Sequence, residues 1–425
     1  MLNNLTSIAI EPMHHSSTNN KTCLCLFTIN FPYGKGEFFL YDEIKILSEK
    51  FQTIYIFPLD CSDKISNYIL PENVIIIHFD VFQPYNRIKV LTKNFGLIAS
   101  IYAIELWQSK TKLNYVSQFF KTLNNLTHKI SAADNLIAEL KKLKINDAIA
   151  YTYWFNQWTL ILSIINIKYK EINLYTRIHG MDVYEDQHRE SNFFFQFRAF
   201  QFKQIKKVLA ISLNGKNHLL NANNISENKI SVSRLGTTDL GLNKTEALNH
   251  FRIVSCSSFH AYKRVELIID ILSHSNKKIE WVHFGDGDQK DIIIEKVNHL
   301  PQNVSFTFMG FQKNKFIMEY YKQNHIDLFI NVSETEGIPV SIMEAISFGI
   351  PVIATNVGGV AEIVNEKTGF LIDKYFDSKV TYQLIENFIE ASTEVKTTLK
   401  QSSRYFWEQN YNASKNYNAL SLQLV

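Results

Sequence analysis

Nearly continuous runs of Ile, Val, Leu, Phe and Tyr recur along this chain, and longer stretches of mixed apolar and polar residues lie between them. In the first half the runs Thr22–Ile29, Thr53–Phe57, Val74–His78, Ala148–Thr152, Asn173–Ile178 and Lys207–Ile211 predict strands. In the second half the corresponding runs are Phe251–Cys256, Ile279–Phe284, Val304–Met309, Leu328–Val332 and Pro351–Ala354. A strand that is apolar throughout, rather than at every second position, is covered on both faces, which is the condition of a parallel sheet between helix layers. Strand and helical patterns alternate, so the expected class is α/β. Between the two sets of strands, residues 234–249 (RLGTTDLGLNKTEALN) carry two glycines and mostly polar side chains, and read as an interdomain linker. Two Rossmann-like domains facing each other across a cleft are therefore expected, with ligands at the carboxyl ends of their strands.

One segment departs from this alternation. Arg87–Trp107 (RIKVLTKNFGLIASIYAIELW) is the most hydrophobic of the chain, but its uninterrupted part, Phe95–Ile104, is about half of what a membrane span needs. Two readings stay open. It is a buried helix of the first domain, or it lies in a membrane interface with Lys89, Lys93, Lys110 and Lys112 at its polar margin.

The totals narrow the function classes. A length of 425 residues suits two domains rather than one core. A net charge of +3 gives no overall field that would draw nucleic acid, and no such partner is expected. The first twenty residues hold no continuous apolar run, so a signal peptide is not expected. Four cysteines are too few for a disulfide framework in a chain this long, and the expected compartment is the reducing cytoplasm. Cys23 and Cys25 would share one face of a strand, with no further metal ligands nearby in sequence.

The most informative stretch is EGIPVSIMEAISFGIP, from Glu336 to Pro351. Pro339 suits a first helical position, where its missing N–H is no loss. Gly349 followed by Pro351 suits a helix stop. A helix over 339–348 is thus predicted, its N-terminus pointing at the cleft directly after a strand. The N–H groups of Gly337, Ile338, Val340 and Ser341, with the helix dipole, make an anion site suited to a diphosphate. Glu336 precedes that site and Glu344 follows it, and carboxylates take hydroxyl donors in pairs, as proteins hold ribose and sugars. The bland alternatives are a solvated loop acid at Glu336 and an ordinary helix acid at Glu344. Against the second, Glu344 lies between Met343 and Ala345 on a helix with few polar positions, where a buried acid without a task is costly.

EGIPVSIMEAISFGIPVIATNVGGVAEIV resembles the donor-site signature of family 4 GT-B retaining glycosyltransferases, whose Glu-x7-Glu pattern matches Glu336 and Glu344. FPYGKGEFFLYDEIKIL, RIHGMDVYED and KISVSRLGTT resemble first-domain elements of the bacterial polysaccharide and lipopolysaccharide branch. RIVSCSSFHAYKRVELIIDIL and WVHFGDGD resemble its second-domain strands, and RYFWEQNYNASKNYNALSLQL its closing helix. The resemblance implies a GT-B fold with a first domain over 1–239, a nucleotide-sugar domain over 240–404, and a helix at about 405–425 crossing back to the first.

It also implies roles. Glu344 would hold the ribose hydroxyls and Glu336 the donor sugar, while Lys263 would neutralise the leaving diphosphate. His179 would stand beside the reacting end of the sugar, with Asp182 orienting it or capping the next segment. Gly34 and Gly36 would close over the phosphates, and Glu37 is either part of that loop or an early helix acid. Gly285 would line the donor site, and Gly310 and Phe311 would border the nucleobase. The family has an Arg five residues before the Lys, where this chain has Ser258; Arg264 is the nearest cation that could compensate. No metal or other cofactor is implied. The implied reaction moves a hexose-type sugar from a nucleoside-diphosphate sugar to a hydroxyl of a glycan or lipid-linked glycan, at the inner face of the cytoplasmic membrane, with peripheral membrane contact. The alternatives are a sugar-nucleotide epimerase or hydrolase of the same architecture, and a sugar-nucleotide-binding subunit without catalysis.

Overall fold

The structure is a computed structural model that describes residues 23–34, 37–61, 66, 68–145, 148–169, 172–185, 194–244, 246 and 248–424. Every strand expected from the apolar runs is present to within two residues. In the first domain these are β1 (Leu24–Thr28), β2 (Ile54–Pro58), β3 (Val74–Ile76), β4 (Ile149–Thr152), β5 (Leu174–Ile178) and β6 (Lys207–Ala210). A seventh, β7 (Ile230–Val232), was not apparent from its apolar pattern. The second domain contains β8 (Phe251–Cys256), β9 (Ile279–Phe284), β10 (Val304–Phe308), β11 (Leu328–Asn331) and β12 (Val352–Thr355), and adds β13 (Gly369–Ile372). Both added strands are short and sit at sheet edges, where one side goes unpaired and the sequence signal is weakest.

All pairings are parallel. The strand orders are β3-β2-β1-β4-β5-β6-β7 and β10-β9-β8-β11-β12-β13. Each order reverses once, between β1 and β4 in the first sheet and between β8 and β11 in the second. Such reversals open a crevice at the carboxyl ends of the two flanking strands. Helices cover both faces, and β1, β4, β5, β11 and β12 are buried along their whole length.

The helix Ala413–Leu424 returns to the first domain, where Tyr417, Leu420 and Leu424 join a core with Leu24, Leu40, Ile44 and Ile54. Before it, the helix Thr393–Asn410 packs on the second domain against Val340–Ser347. The chain passes between domains twice at one place. Thr237 N–H donates to the Tyr411 carbonyl (2.9 Å) and Ala413 N–H to the Thr237 carbonyl (3.1 Å). Gly236 has no room for a side chain there, since a Cβ would lie 2.5 Å from the Ala413 Cα.

The Arg87–Trp107 segment is not one buried helix, which removes the first of its two readings. It forms two helices, Arg87–Lys93 and Phe95–Gln108, and buries only Ile98, Ile101, Tyr102 and Glu105 of the second. Among the described residues no helix is long and apolar enough to cross a membrane.

Candidate active site

The helix after β11 runs Val340–Ser347. Pro339 is not its first residue but its N-cap, with extended backbone (φ −72°, ψ 119°). No side chain caps this end, so the first-turn N–H groups of Val340 and Ser341 remain for a ligand. Gly349 stops the helix in the left-handed region, at φ 74°. Ile338 is buried in the second-domain core and fixes the entry of the chain into the helix.

Glu336 and Lys263 meet at the crevice between β8 and β11. Lys263 ends a short 3-10 turn, Ala261–Lys263, in the loop after β8, and its Nζ lies 2.6 Å from Glu336 Oε1. Asn331, the last residue of β11, turns its Nδ2 toward the same oxygen at 3.4 Å. Both charged side chains are mostly shielded, at 18% and 10% exposure, so solvent and salt screen the pair less than an exposed one. The loop carrying Glu336 is propped from β12. Gly359 N–H donates to the Gly337 carbonyl (2.8 Å), and a Cβ on Gly358 would sit 1.7 Å from the Glu336 carbonyl oxygen.

Glu344 is buried in the second turn of the helix. Its one described partner is the amide of Asn314, which opens the helix Asn314–Gln323 after β10 and donates from Nδ2 at 2.5 Å. Burial pushes the Glu344 carboxyl up to about 7 and the Asn314 bond lowers it only in part. A carboxylate in this state gains by receiving hydroxyl donors.

Arg264 does not fill the place of the Arg that Ser258 replaces. It adopts a left-handed backbone (φ 50°) and gives Nε to the Val332 carbonyl (2.8 Å), Nη1 to Lys374 (2.9 Å) and Nη2 to Ser333 (3.1 Å). Its guanidinium clamps the β11 loop and leaves Lys263 as the cation beside Glu336. Ser258 is half-buried in the loop after β8.

Gly285 and Gly287 serve the packing of two loops. A Cβ on Gly285 would lie 1.7 Å from the Ser257 carbonyl oxygen, and one on Gly287 would lie 2.9 Å from Phe259 N. Asp286 and Asp288 of the same loop pair with Lys290 (3.1 Å) and His260 (2.8 Å). Gly310 takes φ 65° in open space, and Phe311 next to it is exposed. Among the described residues no group of three or more His, Cys, Asp or Glu is placed to hold a metal ion.

The first domain supplies His179 at the end of β5. Its ring packs against Trp154 (4.2 Å between centroids) and Tyr153 (4.9 Å). Burial lowers its pKa, so the ring is neutral near pH 7. Asp182 accepts the His179 backbone N–H (3.2 Å) and lies 3.7 Å from Nδ1, so it caps the turn and flanks the ring together. Within β5, Arg177 is wholly buried with its Nη1 2.6 Å from Glu43, which also accepts from the Tyr151 hydroxyl (3.0 Å). The two domains touch beside His179. A Cβ on Gly180 would come within 3.4 Å of the Gly337 Cα. Glu362 of the second domain accepts from Leu213 N–H (2.9 Å) and Asn214 N–H (2.7 Å), at the start of a first-domain helix.

Gly36 lies outside the described residues. Glu37 lies in the loop ahead of the helix Leu40–Ser48 and is not an early helix acid. Its carboxylate is buried and accepts from the N–H groups of Ile29 (3.1 Å), Asn30 (2.6 Å) and Phe31 (2.6 Å), and from the Trp154 indole. It therefore ties the β1 loop to the ring that packs on His179. Glu37→Ala strips an acceptor from four donors and is expected to destabilise the protein by about 3 kcal/mol, read from denaturant unfolding, with Glu37→Gln costing less. Equal stability of Glu37→Ala and the parent would refute this role. Asn314, Asn331, Gly358 and Gly359 were likewise not picked out from sequence. Asn314 could have been, as the first helical residue after the Gly310 loop.

Residues 243–405 match the family model of glycosyl transferases group 1. The second domain belongs to that family. N-acetyl-alpha-D-glucosaminyl L-malate synthase of Bacillus anthracis is 28% identical over 153 residues, which cover 35% of this chain and 38% of that protein. The amylovoran biosynthesis glycosyltransferase AmsD of Erwinia amylovora is 24% identical over 222 residues, covering 49% of this chain and 59% of that one. The chain thus spans less than two thirds of these relatives' lengths. In overall fold it is similar to Anabaena HepE, solved with UDP-glucose, at TM-score 0.65 and 16% identity over 95% of this chain and 99% of that one. A glycosyltransferase of Rickettsia africae gives TM-score 0.67 and 19% identity, with coverages of 95% and 99%. The fold is GT-B, with two facing Rossmann-like domains and a closing helix that crosses back.

Proposed function

We propose that the chain is a retaining glycosyltransferase that moves a sugar from a nucleoside-diphosphate sugar to a hydroxyl of a glycan or lipid-linked glycan in cell-surface polysaccharide synthesis. The reading rests on one observation above all: Lys263 and Glu336 are brought together at the strand-order reversal of a group 1 glycosyltransferase domain, beside an uncapped helix start. The uncapped N–H groups take the diphosphate, and Glu344 takes the ribose hydroxyls. Gly285 flanks the phosphates, while Gly310 and Phe311 flank the base. The donor sugar then lies between Glu336 and His179. Its hydroxyls compete with Lys263 for Glu336, which frees the ammonium to turn to the diphosphate.

The acceptor hydroxyl oxygen attacks the anomeric carbon on the face the diphosphate leaves. The bond from that carbon to the phosphate oxygen breaks, and the hydroxyl proton passes to that phosphate oxygen. Negative charge grows on the leaving group in this step, and Lys263 with the helix N–H groups stabilises it in place of a metal ion. A neutral His179 can sit against an electron-poor sugar ring without repelling its positive charge.

Relatives named for amylovoran and O-antigen synthesis support a cell-surface glycan acceptor. The neighbour solved with UDP-glucose makes uridine the first base to test. Cytoplasmic location with peripheral membrane contact belongs to the same reading. Incubation with a panel of nucleoside-diphosphate sugars, with and without glycan acceptor and in the presence of EDTA, is expected to yield an α-linked product from an α-linked donor only when acceptor is present. Equal donor turnover without acceptor would favour an epimerase or hydrolase.

A further inference from the structure

A surface helix ordinarily turns a polar face outward. The helix Phe95–Gln108 does not. Its exposed positions are Phe95, Gly96, Ala99, Ser100, Ala103, Leu106 and Trp107, with Trp107 at 83% exposure. The helix Lys112–Ser117 packs on it and Phe119–Lys142 packs on that helix in turn, and they add the exposed Leu113, Val116 and Phe120. Tyr102 ties the helices together from below, its ring tilted against Phe119 (5.5 Å) and edge-on to Tyr115 (6.2 Å). Contiguous exposed apolar side chains on this scale mark a docking surface.

Charge says what docks there. Between Asp80 and Asp134 the only acid in the sequence is Glu105, and it is buried. Over the same stretch Arg87, Lys89, Lys93, Lys110, Lys112 and Lys121 are all exposed. We infer that this face lies on a bilayer carrying anionic lipid, with Trp107, Leu113, Val116 and Phe120 entering the headgroup–acyl boundary and the lysines holding lipid phosphates. Trp and Phe suit that depth, and lysine stems can lie along apolar surface while their ammonium groups reach the headgroups. The inference rests on the proposed membrane contact alone and is independent of the identity of donor and acceptor.

The test uses the full chain with vesicles of phosphatidylcholine alone and of phosphatidylcholine mixed with phosphatidylglycerol. The parent is expected to sediment with the mixed vesicles and to leave them at high salt. Lys112→Ala and Lys121→Ala are each expected to lower the partition coefficient about fivefold, the effect of one basic residue at an anionic surface. Trp107→Ser combined with Phe120→Ser is expected to lower it at least about tenfold. Trp158, Trp281 and Trp407 are buried and Trp154 half-buried, so a blue shift of tryptophan emission on binding would come from Trp107 and vanish in Trp107→Phe. Donor-induced thermal stabilisation should persist in every variant, which separates loss of docking from loss of fold or of the donor site. Absence of binding to mixed vesicles, or binding that the variants leave unchanged, overturns the inference. So does a parent dimer that these variants convert to monomer without altering vesicle binding, since that outcome assigns the face to a second copy.

Discussion

Lys263→Ala is expected to lower kcat/KM by about a hundred- to a thousandfold, the usual result of removing one preorganised group from developing charge. The loss should fall mainly on kcat, because the charge it answers is fully present only as the diphosphate leaves. Glu336→Gln should also be severe, through the sugar rather than the phosphate. The two side chains are 2.6 Å apart, so their effects are not independent. The double variant Lys263→Ala with Glu336→Gln should fall little below the worse single one. Steady-state kinetics on the four proteins, with thermal unfolding as a check on fold, decide it. Near-parental turnover in Lys263→Ala, or strictly multiplicative losses in the double variant, would remove the pair from the mechanism.

The second large effect concerns Glu344, where stability and binding should move in opposite directions. Its carboxyl is raised by burial from the ordinary 4.5 to about 7. The folded protein therefore keeps this proton over a range where the unfolded chain has lost it. Donor-free stability accordingly falls as pH rises from about 4.5 to about 7, and the loss is complete above that window. Glu344→Gln removes the penalty while keeping an oxygen for the Asn314 amide. It should raise the stability of the donor-free protein at pH 8 by about 3 kcal/mol, and by under about 1 kcal/mol at pH 5. The same change should weaken donor binding about ten- to a hundredfold, since hydroxyls lose a charged acceptor. Thermal midpoints at the two pH values and donor titration by calorimetry measure both. A variant less stable than the parent at pH 8, or one with unchanged donor affinity, would contradict the role given to Glu344.

Much of the architecture was legible because burial of parallel strands leaves a signature that needs no partner to be recognised. β8 and β9 were read residue for residue, while the edge strands β7 and β13 were missed. At the site, residue types were easier to read than their partners. The sequence pointed to Lys263 and Glu336 separately, but not to their contact across 73 positions, which depends on two loops meeting at the reversal of strand order. Arg264 shows the limit from the other side. Its type and place suggested a second cation for the diphosphate, and its left-handed backbone sends the guanidinium to three carbonyls instead. Glu37 was hidden for a similar reason, since a carboxylate ringed by backbone N–H groups looks in sequence like any loop acid.

The paired crossing of the chain at Thr237 and Asn412 sets how the molecule can open. A single tether would let the domains slide, twist and swing. Two strands bonded side by side, with Gly236 pressed on Ala413, behave as a pin, and what remains is rotation about it. Under the proposed function, rotation about this pin would have to part the Gly180–Gly337 contact and the Glu362 bonds to Leu213 and Asn214 before a sugar nucleotide could enter.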